Sequence, residues 1–348
     1  MIDNEVFGGW EGSINRAVPT QKIHLVLCHL YLLPWFVWRM LCGGVPLRPF
    51  LDANPDLDFG GLPIAPKLSR YGPDPPYLPS LKVAEETSPD ALSAFAEEHG
   101  FPLVQKPLFG AHSRGVQKLE GPDDLAAASA EEPMIVQPFV EAPKEYGINV
   151  MRVGRRVKIY GLTEVTLREV WGDGTRSVND LVEEKYGPHV APAEGGKRVP
   201  DEGEHVPLQD AADQGEGSSF RDVTEEVTPA LRAACQDAAD QIGLRFGRFD
   251  VKARSLAALQ EGQFWILEAN GSPSLDLTLY DEQHPLAVKI ERLRAHWEQF
   301  FQQARACQSC DPNSWQLLTT LCWFACAPKQ YAVSFRDEVD DGELAPRA

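Results

Sequence analysis

The sequence predicts an α+β fold with a body of mixed helices and strands, an apolar segment before the body and a helical tail after it. Strand and helix signals alternate from about residue 81 onward, and 348 residues are enough to bury a large core. An almost wholly apolar run precedes that region. We therefore expect an N-terminal region at 1–80, a body at 81–285 and a C-terminal tail at 286–348.

Caps, turns and hydrophobic periodicity predict the elements of the central region. Ser88 caps an amphipathic helix at 91–99, which ends at Gly100. Apolar residues at helical spacing predict a second helix at 229–243. Strands are predicted at 103–106, 134–140, 148–153 and 157–162. The acidic, proline-rich stretch 188–217 predicts a long loop.

Two late strand segments carry polar side chains among apolar ones. Arg248 and Asp250 belong to the first segment, and Glu268 and Asn270 to the second. Side chains along a strand alternate between faces, so each pair points to one side and the four groups converge. Carboxylate and amide oxygens suit Mg²⁺. Polar groups at the ends of buried strands are costly without a partner, which favours a metal site over a purely structural role.

A lysine followed by glycines stands earlier in the chain. Lys106 ends an apolar strand, and Gly110 and Gly115 bracket a loop whose backbone N–H groups suit phosphate oxygens. The segment is neither a Walker A loop nor a Rossmann glycine fingerprint. Taken alone, an ordinary hairpin with a surface lysine explains these residues equally well.

The order of these features resembles a known superfamily. The lysine and its glycine loop come first, followed by the strand 134–140, Glu145, and the Arg-x-Asp and Glu-x-Asn pairs. This order is similar to that of the ATP-grasp superfamily, most of all the ligase module of cyanophycin synthetases and more distantly D-alanine:D-alanine ligases. Residues 172–181 resemble the GDG segment of that module. The resemblance covers 81–285 and implies the ATP-grasp fold, in which two α+β subdomains clasp ATP. It implies that the first subdomain is 81–165 and the second is 166–285.

The resemblance implies ATP as a cofactor and assigns residues to it. Lys106 would contact a phosphate or the adenine ring, and Lys67 or Lys82 would be a first ATP-binding lysine. Glu145 would hold the ribose hydroxyls, with an exposed acid at a strand start as the alternative. The loop over the phosphates would consist of Gly110, His112, Ser113, Arg114 and Gly115. The adenine hinge would consist of Gln137, Phe139 and Val140.

The resemblance also implies the reaction. A carboxylate would be phosphorylated by ATP, and an amine would attack the acyl phosphate to give an amide with release of ADP and phosphate. Lys106 and Arg248 would be the catalytic residues, through stabilisation of charge. The ligands of one or two Mg²⁺, with Mn²⁺ as a substitute, would be Asp250, Glu268 and Asn270. The substrate contacts would come from Arg168, Arg176, Ser272 and Ser274.

Two other functions stay open. One is an ATP-grasp kinase that stops after phosphorylating a small molecule. The other is a catalytically silent nucleotide-binding partner protein, against which the complete set of Arg248, Asp250, Glu268 and Asn270 argues.

The apolar residues 23–42 have no counterpart in the resemblance. Their length is about one bilayer crossing, but Pro34 and Arg39 interrupt the run and no small-residue cleavage site follows it. The two alternatives are a helix lying in a membrane interface and a helix buried against the body. The first alternative would associate the protein with a membrane and suggests a lipidic substrate.

Charge and cysteine content limit the partners and the compartment. A net charge of −18 and a pI near 4.9 argue against nucleic-acid binding. We expect small carboxylates and amines as substrates, and a homodimer is a further possible partner. Seven scattered cysteines form no disulfide framework, which favours the cytoplasm. Four cysteines in the tail have two alternative roles, to bind zinc or to pack as small core residues. They are Cys307, Cys310, Cys322 and Cys326.

Overall fold

The computed structural model describes residues 20–42, 48–62, 64–84, 87–109, 115–127, 133–187, 196–208, 218–272 and 274–307. Its helices are α1 Thr20–Cys42, α2 Arg48–Asp52, α3 Pro89–His99, α4 Pro122–Ala127, α5 Val178–Tyr186, α6 Pro229–Ile242, α7 Leu256–Gln260 and α8 Leu286–Ala306. Its strands are β1 Leu81–Val83, β2 Leu103–Pro107, β3 Gln117–Leu119, β4 Met134–Pro138, β5 Lys144–Val153, β6 Arg156–Thr166, β7 Glu169–Trp171, β8 His205–Pro207, β9 Ser219–Asp222, β10 Phe246–Ala253 and β11 Trp265–Asn270. Helices and strands are mixed along the chain, which confirms the α+β class.

The first sheet has four antiparallel strands in the order β1-β4-β2-β3. Helix α3 packs on it, with Ala96 of the helix in the same apolar cluster as Leu103 of β2. The hydroxyl of Ser88 accepts a hydrogen bond from the N–H of Ala91, and Gly100 ends the helix at a φ of 75°. The Ser88 cap and the Gly100 end therefore match the sequence prediction, and the helix begins two residues earlier than predicted.

The second sheet has five antiparallel strands in the order β11-β10-β5-β6-β9. Its main core joins Ile148 of β5, Phe249 of β10 and Ile266 of β11, all fully buried. Helix α6 covers this core with Leu231 and Ala238, and its bounds agree with the predicted helix at 229–243. The core fixes the strands whose ends carry the polar residues.

The two sheets divide between β4 and β5. Strand β5 pairs with both β6 and β10, so the hairpin β5–β6 belongs to the second sheet. The boundary predicted at residue 165 lies at the end of that hairpin and not before it. A hydrophobic pattern predicts that a strand exists, but it does not predict which strand it pairs with. Gly154, at a φ of 61°, makes the tight turn of the hairpin.

The N-terminal helix and the C-terminal helix pack against each other. Helix α1, which confirms the predicted apolar helix, contacts α8 through edge-to-face aromatic pairs. The ring centroids of Phe36 and Trp297 are 4.9 Å apart, and those of Trp35 and Phe301 are 6.1 Å apart. Residues 308–348 lie outside the described part of the chain.

A small unit between β6 and β9 was not predicted in detail. Strands β7 and β8 pair with each other, and α5 packs beside them through Val178 and Leu181. Helix α5 starts with a capping box in which Ser177 and Asp180 exchange hydrogen bonds between side chain and backbone. The GDG segment thus forms the turn and the cap that lead from β7 into α5.

Candidate functional site

A cleft lies between the two sheets and collects the polar residues singled out in the sequence. The first sheet contributes Lys106 and Gln137, and the second contributes Glu145, Asp250 and Glu268. Most of the remaining wall is apolar and includes Leu78, Val104, Val116, Val140, Val165, Phe220, Leu267 and Leu277. An apolar cleft with a few convergent polar groups is typical of a small-molecule site.

Antiparallel pairing of β10 with β11 sets four polar residues side by side. Arg248 lies opposite Asn270, and Asp250 lies opposite Glu268. The side-chain amide of Asn270 donates a hydrogen bond to Oδ2 of Asp250 at 2.7 Å. The four side chains converge, as strand alternation predicts, while their role as metal ligands stays a prediction.

Arg248 grips the carboxylate of Asp250 with two nitrogens. Nε donates to Oδ1 at 2.6 Å and Nη2 to Oδ2 at 3.0 Å, while Nη1 donates to the carbonyl of Leu275 at 3.1 Å. Burial alone would lower the pKa of Arg248, but the charge of Asp250 raises it above its ordinary value. The guanidinium is therefore a fixed, fully charged group in the cleft wall.

Lys106 reaches from β2 to β11. Its Nζ donates to the carbonyl of Leu267 at 2.9 Å and lies 5.0 Å from the ring centroid of Tyr71. Burial lowers the pKa of Lys106 to about 7, and neighbouring cations act in the same direction, while Glu268 opposes them. The protonated state of Lys106 is therefore sensitive to a nearby anion.

Of the two candidates for a first ATP-binding lysine, Lys67 is the one that lines the cleft. It is 5% exposed and begins the 3₁₀ turn Lys67–Arg70, and its backbone N–H donates to the carbonyl of Leu108 at 2.9 Å. Burial lowers the pKa of Lys67, although Glu268 opposes this shift. Lys82 is exposed on β1.

Arg70 lies beside the cleft wall, against Glu268 and Asn270, and the sequence analysis missed it. It is 2% exposed, with Nη2 at 3.4 Å from Oε1 of Glu268 and Nη1 at 3.5 Å from Oδ1 of Asn270. Within the described residues, Nε and Nη2 make no hydrogen bond. The available signal was its spacing from Lys67, because residues three apart in a 3₁₀ turn lie on one side.

Glu268 is surrounded by cations. Burial would raise its pKa, but the charges of Arg70, Lys67, Lys106 and Arg248 outweigh burial and lower the pKa below its ordinary value. The carboxylate is therefore ionised at neutral pH. A carboxylate and several cations thus lie close together at the cleft.

The two walls of the cleft carry complementary groups. The first sheet presents Lys106, which is half-buried, and the second presents the Arg-x-Asp and Glu-x-Asn pairs on adjacent strands. Two antiparallel sheets that clasp one cleft with these groups are the arrangement implied by the sequence motifs. The architecture agrees with the ATP-grasp fold that the resemblance implies.

Solved structures similar to this chain include ATP-grasp ligases, whereas no family model and no curated protein matches it. One is a bifunctional glutathione synthetase from Pasteurella multocida, with 16% identity over 66% of this chain and 34% of that chain and a TM-score of 0.35. Another is the ATP-grasp ligase PsnB complexed with minimal precursor, with 15% identity over 73% and 65% and a TM-score of 0.39. A third is D-alanine–D-alanine ligase from Bacillus anthracis, with 10% identity over 72% and 70% and a TM-score of 0.42.

The chain spans about a third of the length of the glutathione synthetase and just under two thirds of the length of PsnB. The sequence motifs resemble those of ATP-grasp enzymes and, more distantly, D-alanine:D-alanine ligases. The second structure is described as an ATP-grasp ligase and the third as a D-alanine–D-alanine ligase. None of the three is a cyanophycin synthetase.

The residues predicted as an adenine hinge lie in the cleft wall. Gln137 is fully buried, and Phe139 and Val140 follow it along the wall. Two cations flank the aromatic ring of the hinge, since Nζ of Lys118 lies 4.6 Å and Nζ of Lys252 lies 5.3 Å from the ring centroid of Phe139. The hinge therefore combines an apolar wall with nearby positive charge.

Glu145 and the glycine loop complete the nucleotide residues predicted from sequence. Glu145 lines the cleft from the start of β5, opposite Lys252 of β10. Gly115 has a φ of 71°, a conformation that favours glycine. The remaining loop residues lie outside the described part of the chain: Gly110, His112, Ser113 and Arg114.

The two arginines predicted to contact substrate do not line this cleft. Nε of Arg176 lies 2.5 Å from Oδ2 of Asp173, and its Nη1 lies 2.6 Å from Oε2 of Glu184. These ion pairs tie the GDG turn to helix α5. Arg168 is buried beside β7. A substrate role for either arginine stays a prediction.

The two serines predicted to contact substrate also lie outside the cleft wall. Ser272 is fully buried, and its hydroxyl accepts a hydrogen bond from the amide of Asn54 at 3.2 Å. The hydroxyl of Ser274 donates to the carbonyl of Asn270 at 3.3 Å. Both contacts hold the segment that follows β11, so they position Asn270 from behind.

The donor atoms of β10 and β11 fit a hard divalent cation. Asp250 and Glu268 occupy facing register positions, and Asn270 adds an amide oxygen, so the set contains oxygen ligands only. Within the described residues, no three His, Cys, Asp or Glu side chains come together as they would in a metal site built from those residue types alone. The set on β10 and β11 has two carboxylates and takes its third oxygen from an amide. Of the four cysteines considered for zinc, Cys307 is described and buried.

Proposed function

We propose that the protein is an ATP-dependent ligase that joins a carboxylate to an amine and releases ADP and phosphate. The observation that carries this proposal is the meeting of Lys67, Lys106 and Arg248 with Asp250 and Glu268 in one cleft. Three cations suit a triphosphate, and two carboxylates suit the Mg²⁺ that accompanies it. Small-molecule substrates fit the narrow, mostly apolar space better than a polymer does.

The apolar end of the cleft would receive the base of the nucleotide. Val104, Val140 and Leu267 provide apolar surface there, and the backbone of the hinge offers donors and acceptors for the edge of an adenine ring. Glu145 would accept hydrogen bonds from the ribose hydroxyls. Holding the nucleotide at both ends fixes the position of its phosphates, which is the main requirement for phosphoryl transfer.

The first chemical step would be transfer of the γ-phosphoryl group. A carboxylate oxygen of the first substrate attacks the γ-phosphorus in line, the bond from phosphorus to the β–γ bridging oxygen breaks, and ADP leaves. Arg248 would stabilise the charge that develops on the transferring group, since its guanidinium is fixed by Asp250. Mg²⁺ held by Asp250, Glu268 and Asn270 would neutralise phosphate charge when bound.

The second step would form the amide. An amine attacks the carbonyl carbon of the acyl phosphate, the bond from that carbon to the phosphate oxygen breaks, and phosphate leaves while the nitrogen gives up a proton. Arg248 would again stabilise the negative charge that develops, here on the carbonyl oxygen. The residues of the cleft contribute position and electrostatics, and the step requires no nucleophilic side chain.

Product analysis tests the proposal. The protein is incubated with ATP, Mg²⁺, pooled carboxylic acids and hydroxylamine, and the nucleotide and hydroxamate products are identified by mass spectrometry. We expect ADP and a hydroxamate in equal amounts. AMP with pyrophosphate would contradict the proposal, and a phosphorylated product that persists without any amine would identify a kinase.

A matched pair of variants connects that activity to the cleft. Glu268→Gln removes a charged oxygen from the proposed metal site, whereas Glu261→Gln makes the same chemical change at an exposed position outside the cleft. ADP and hydroxamate formation should fall together in the first variant and stay unchanged in the second. Equal activity of the two variants would remove the cleft from the reaction.

A further inference from the structure

Helix α1 has an outward face that the proposed reaction does not use. Its exposed side chains after residue 25 are all apolar or aromatic, and its large ones are between 44% and 71% exposed. They are Val26, Leu27, Leu30, Tyr31, Leu33, Pro34, Val37, Trp38 and Leu41. By length and composition alone, residues His24–Leu41 are long and apolar enough to cross a membrane. An apolar patch of this extent marks an interaction surface.

The opposite face of α1 is already occupied. Cys28, Leu32 and Met40 are buried in the cluster formed with α8. Arg39 also turns inward, with its guanidinium 5.4 Å from the ring of Trp35 and 5.0 Å from the ring of Phe301. The helix is therefore anchored to the body by one face, and its outward face meets no packing partner within the described residues.

We propose that the chain's own residues 314–328 cover the outward face of α1. This run holds six large apolar side chains and no Asp, Glu, Lys or Arg. The six are Trp315, Leu317, Leu318, Leu321, Trp323 and Phe324. Two uncharged apolar surfaces in one chain gain free energy by burying each other, at about 25 cal/mol for each Å² of apolar surface removed from water.

The direction of α8 brings the chain that leads to residues 314–328 close to the C-terminal end of α1. Phe36 contacts Trp297, and Arg39 contacts Phe301, so α1 and α8 run in the same direction. The chain therefore leaves α8 at Cys307 near the C-terminal end of α1, about 9 Å along the helix axis beyond Phe301. The residues from 307 to 315 can reach at most about 26 Å when extended, which is enough to turn back onto the outward face.

The lengths of the two surfaces also agree. The outward face from Val26 to Leu41 extends about 22 Å along the axis of α1. Residues 314–328 would cover about 20 Å as a helix, and more in an extended form. One pass of the run along α1 is therefore sufficient to cover the face.

Charge favours this occupant over a bilayer or a second copy. Helices that lie on membranes carry Lys and Arg beside their apolar face, whereas the exposed side chains of α1 listed above include neither, and a net charge of −18 opposes anionic lipid. A tethered segment has an effective concentration of about millimolar, which a second copy reaches only in concentrated solution. The proposal does not depend on the proposed ligase activity.

Photo-cross-linking in the full chain tests the proposal. Benzoylphenylalanine replaces Val37, or in a second variant Leu30, and unlabelled protein is mixed with an equal amount of ¹⁵N-labelled protein before irradiation. We expect mass spectrometry to join residue 37 or 30 to a peptide from 314–328 of the same isotopic population. The same probe at Glu183, exposed on α5, should give no such cross-link.

Charge substitutions supply the matched control. Leu321→Glu with Phe324→Glu should reduce the yield of that cross-link about tenfold, because burying the two charges disfavours docking. Asn313→Glu with Gln330→Glu adds the same charge outside the run and should leave the yield unchanged. Cross-links between isotopic populations, cross-links to phosphatidylcholine vesicles in place of 314–328, or no cross-link to 314–328 would each overturn the proposal.

Discussion

Asn270 and Asp250 are joined across β10 and β11 by a 2.7 Å hydrogen bond, so two proposed metal ligands hold each other in place. The same carboxylate is gripped by Arg248 from its own strand. Each oxygen of Asp250 therefore has a fixed donor before any cation binds. A site arranged in this way loses little conformational entropy when it takes up a metal and its nucleotide.

Removing one negative oxygen from this group should abolish turnover and leave the fold intact. We expect Asp250→Asn and Glu268→Gln each to reduce ADP formation about 100-fold or more, because phosphates are misplaced without the full set of oxygen ligands. The apolar cores of both sheets are untouched, so both variants should still unfold cooperatively, at a melting temperature lowered by the cations that lose their partner. Steady-state ADP assays and thermal unfolding measure the two effects, and near-normal turnover in both variants would refute the metal assignment.

Arg70 should bind the phosphates of the nucleotide. Arg70→Met removes a buried cation with unused donors, and we expect ATP affinity to fall about 10- to 100-fold, the size of a lost charge-assisted hydrogen bond. Arg70→Lys should restore part of the affinity. Titration calorimetry with a non-hydrolysable ATP analogue measures the change, and Arg176→Met, which removes an arginine outside the cleft, is the control. An unchanged affinity in Arg70→Met would assign Arg70 to structure alone.

Nucleotide binding should depend on pH through Lys106. Its pKa in the free protein is about 7, and a bound triphosphate would raise that pKa toward its ordinary value. Binding then takes up a proton above pH 7, so affinity should fall with rising pH by up to about tenfold per unit. In that window the nucleotide's own phosphates, with a pKa near 6, change charge little.

Calorimetry in buffers of different ionisation enthalpy measures the proton uptake directly. Lys106→Arg keeps a charged group at all of these pH values and should remove most of the pH dependence. A parent protein whose affinity stays constant from pH 7 to pH 9 would contradict the lowered pKa.

A methyl group between β10 and β11 should disturb the candidate site. A Cβ at Gly247 would lie 2.2 Å from the carbonyl oxygen of Asn270, so Gly247→Ala must push β10 and β11 apart. We expect a loss of about 1 to 3 kcal/mol in the free energy of unfolding and a fall in ADP formation. Gly121→Ala is the control, because a Cβ there meets nothing within 4 Å. Equal stability of the two variants would show that β10 and β11 tolerate the displacement.

The sequence predicted those features of the site that depend only on the alternation of side chains along a single strand. Alternation along a strand has a period of two residues, so the shared facing of Arg248 with Asp250 and of Glu268 with Asn270 follows from local geometry. The Ser88 cap and the Gly100 end of α3 are local in the same way. Which strands pair is set by contacts distant in the sequence, which is why the place of β5 and β6 in the second sheet did not follow.

What the sequence alone determined is the chemical character of this protein: carboxylate and amide oxygens on two strands, a lysine before a glycine loop, and a mostly apolar N-terminal helix. The tertiary structure decided which cations meet those oxygens. Arg70 lies 198 residues before Glu268 in the chain, and burial brings their charged groups to 3.4 Å. Tertiary structure also decided which face of α1 packs on α8, because an apolar helix carries no internal mark of the face that its partner will cover.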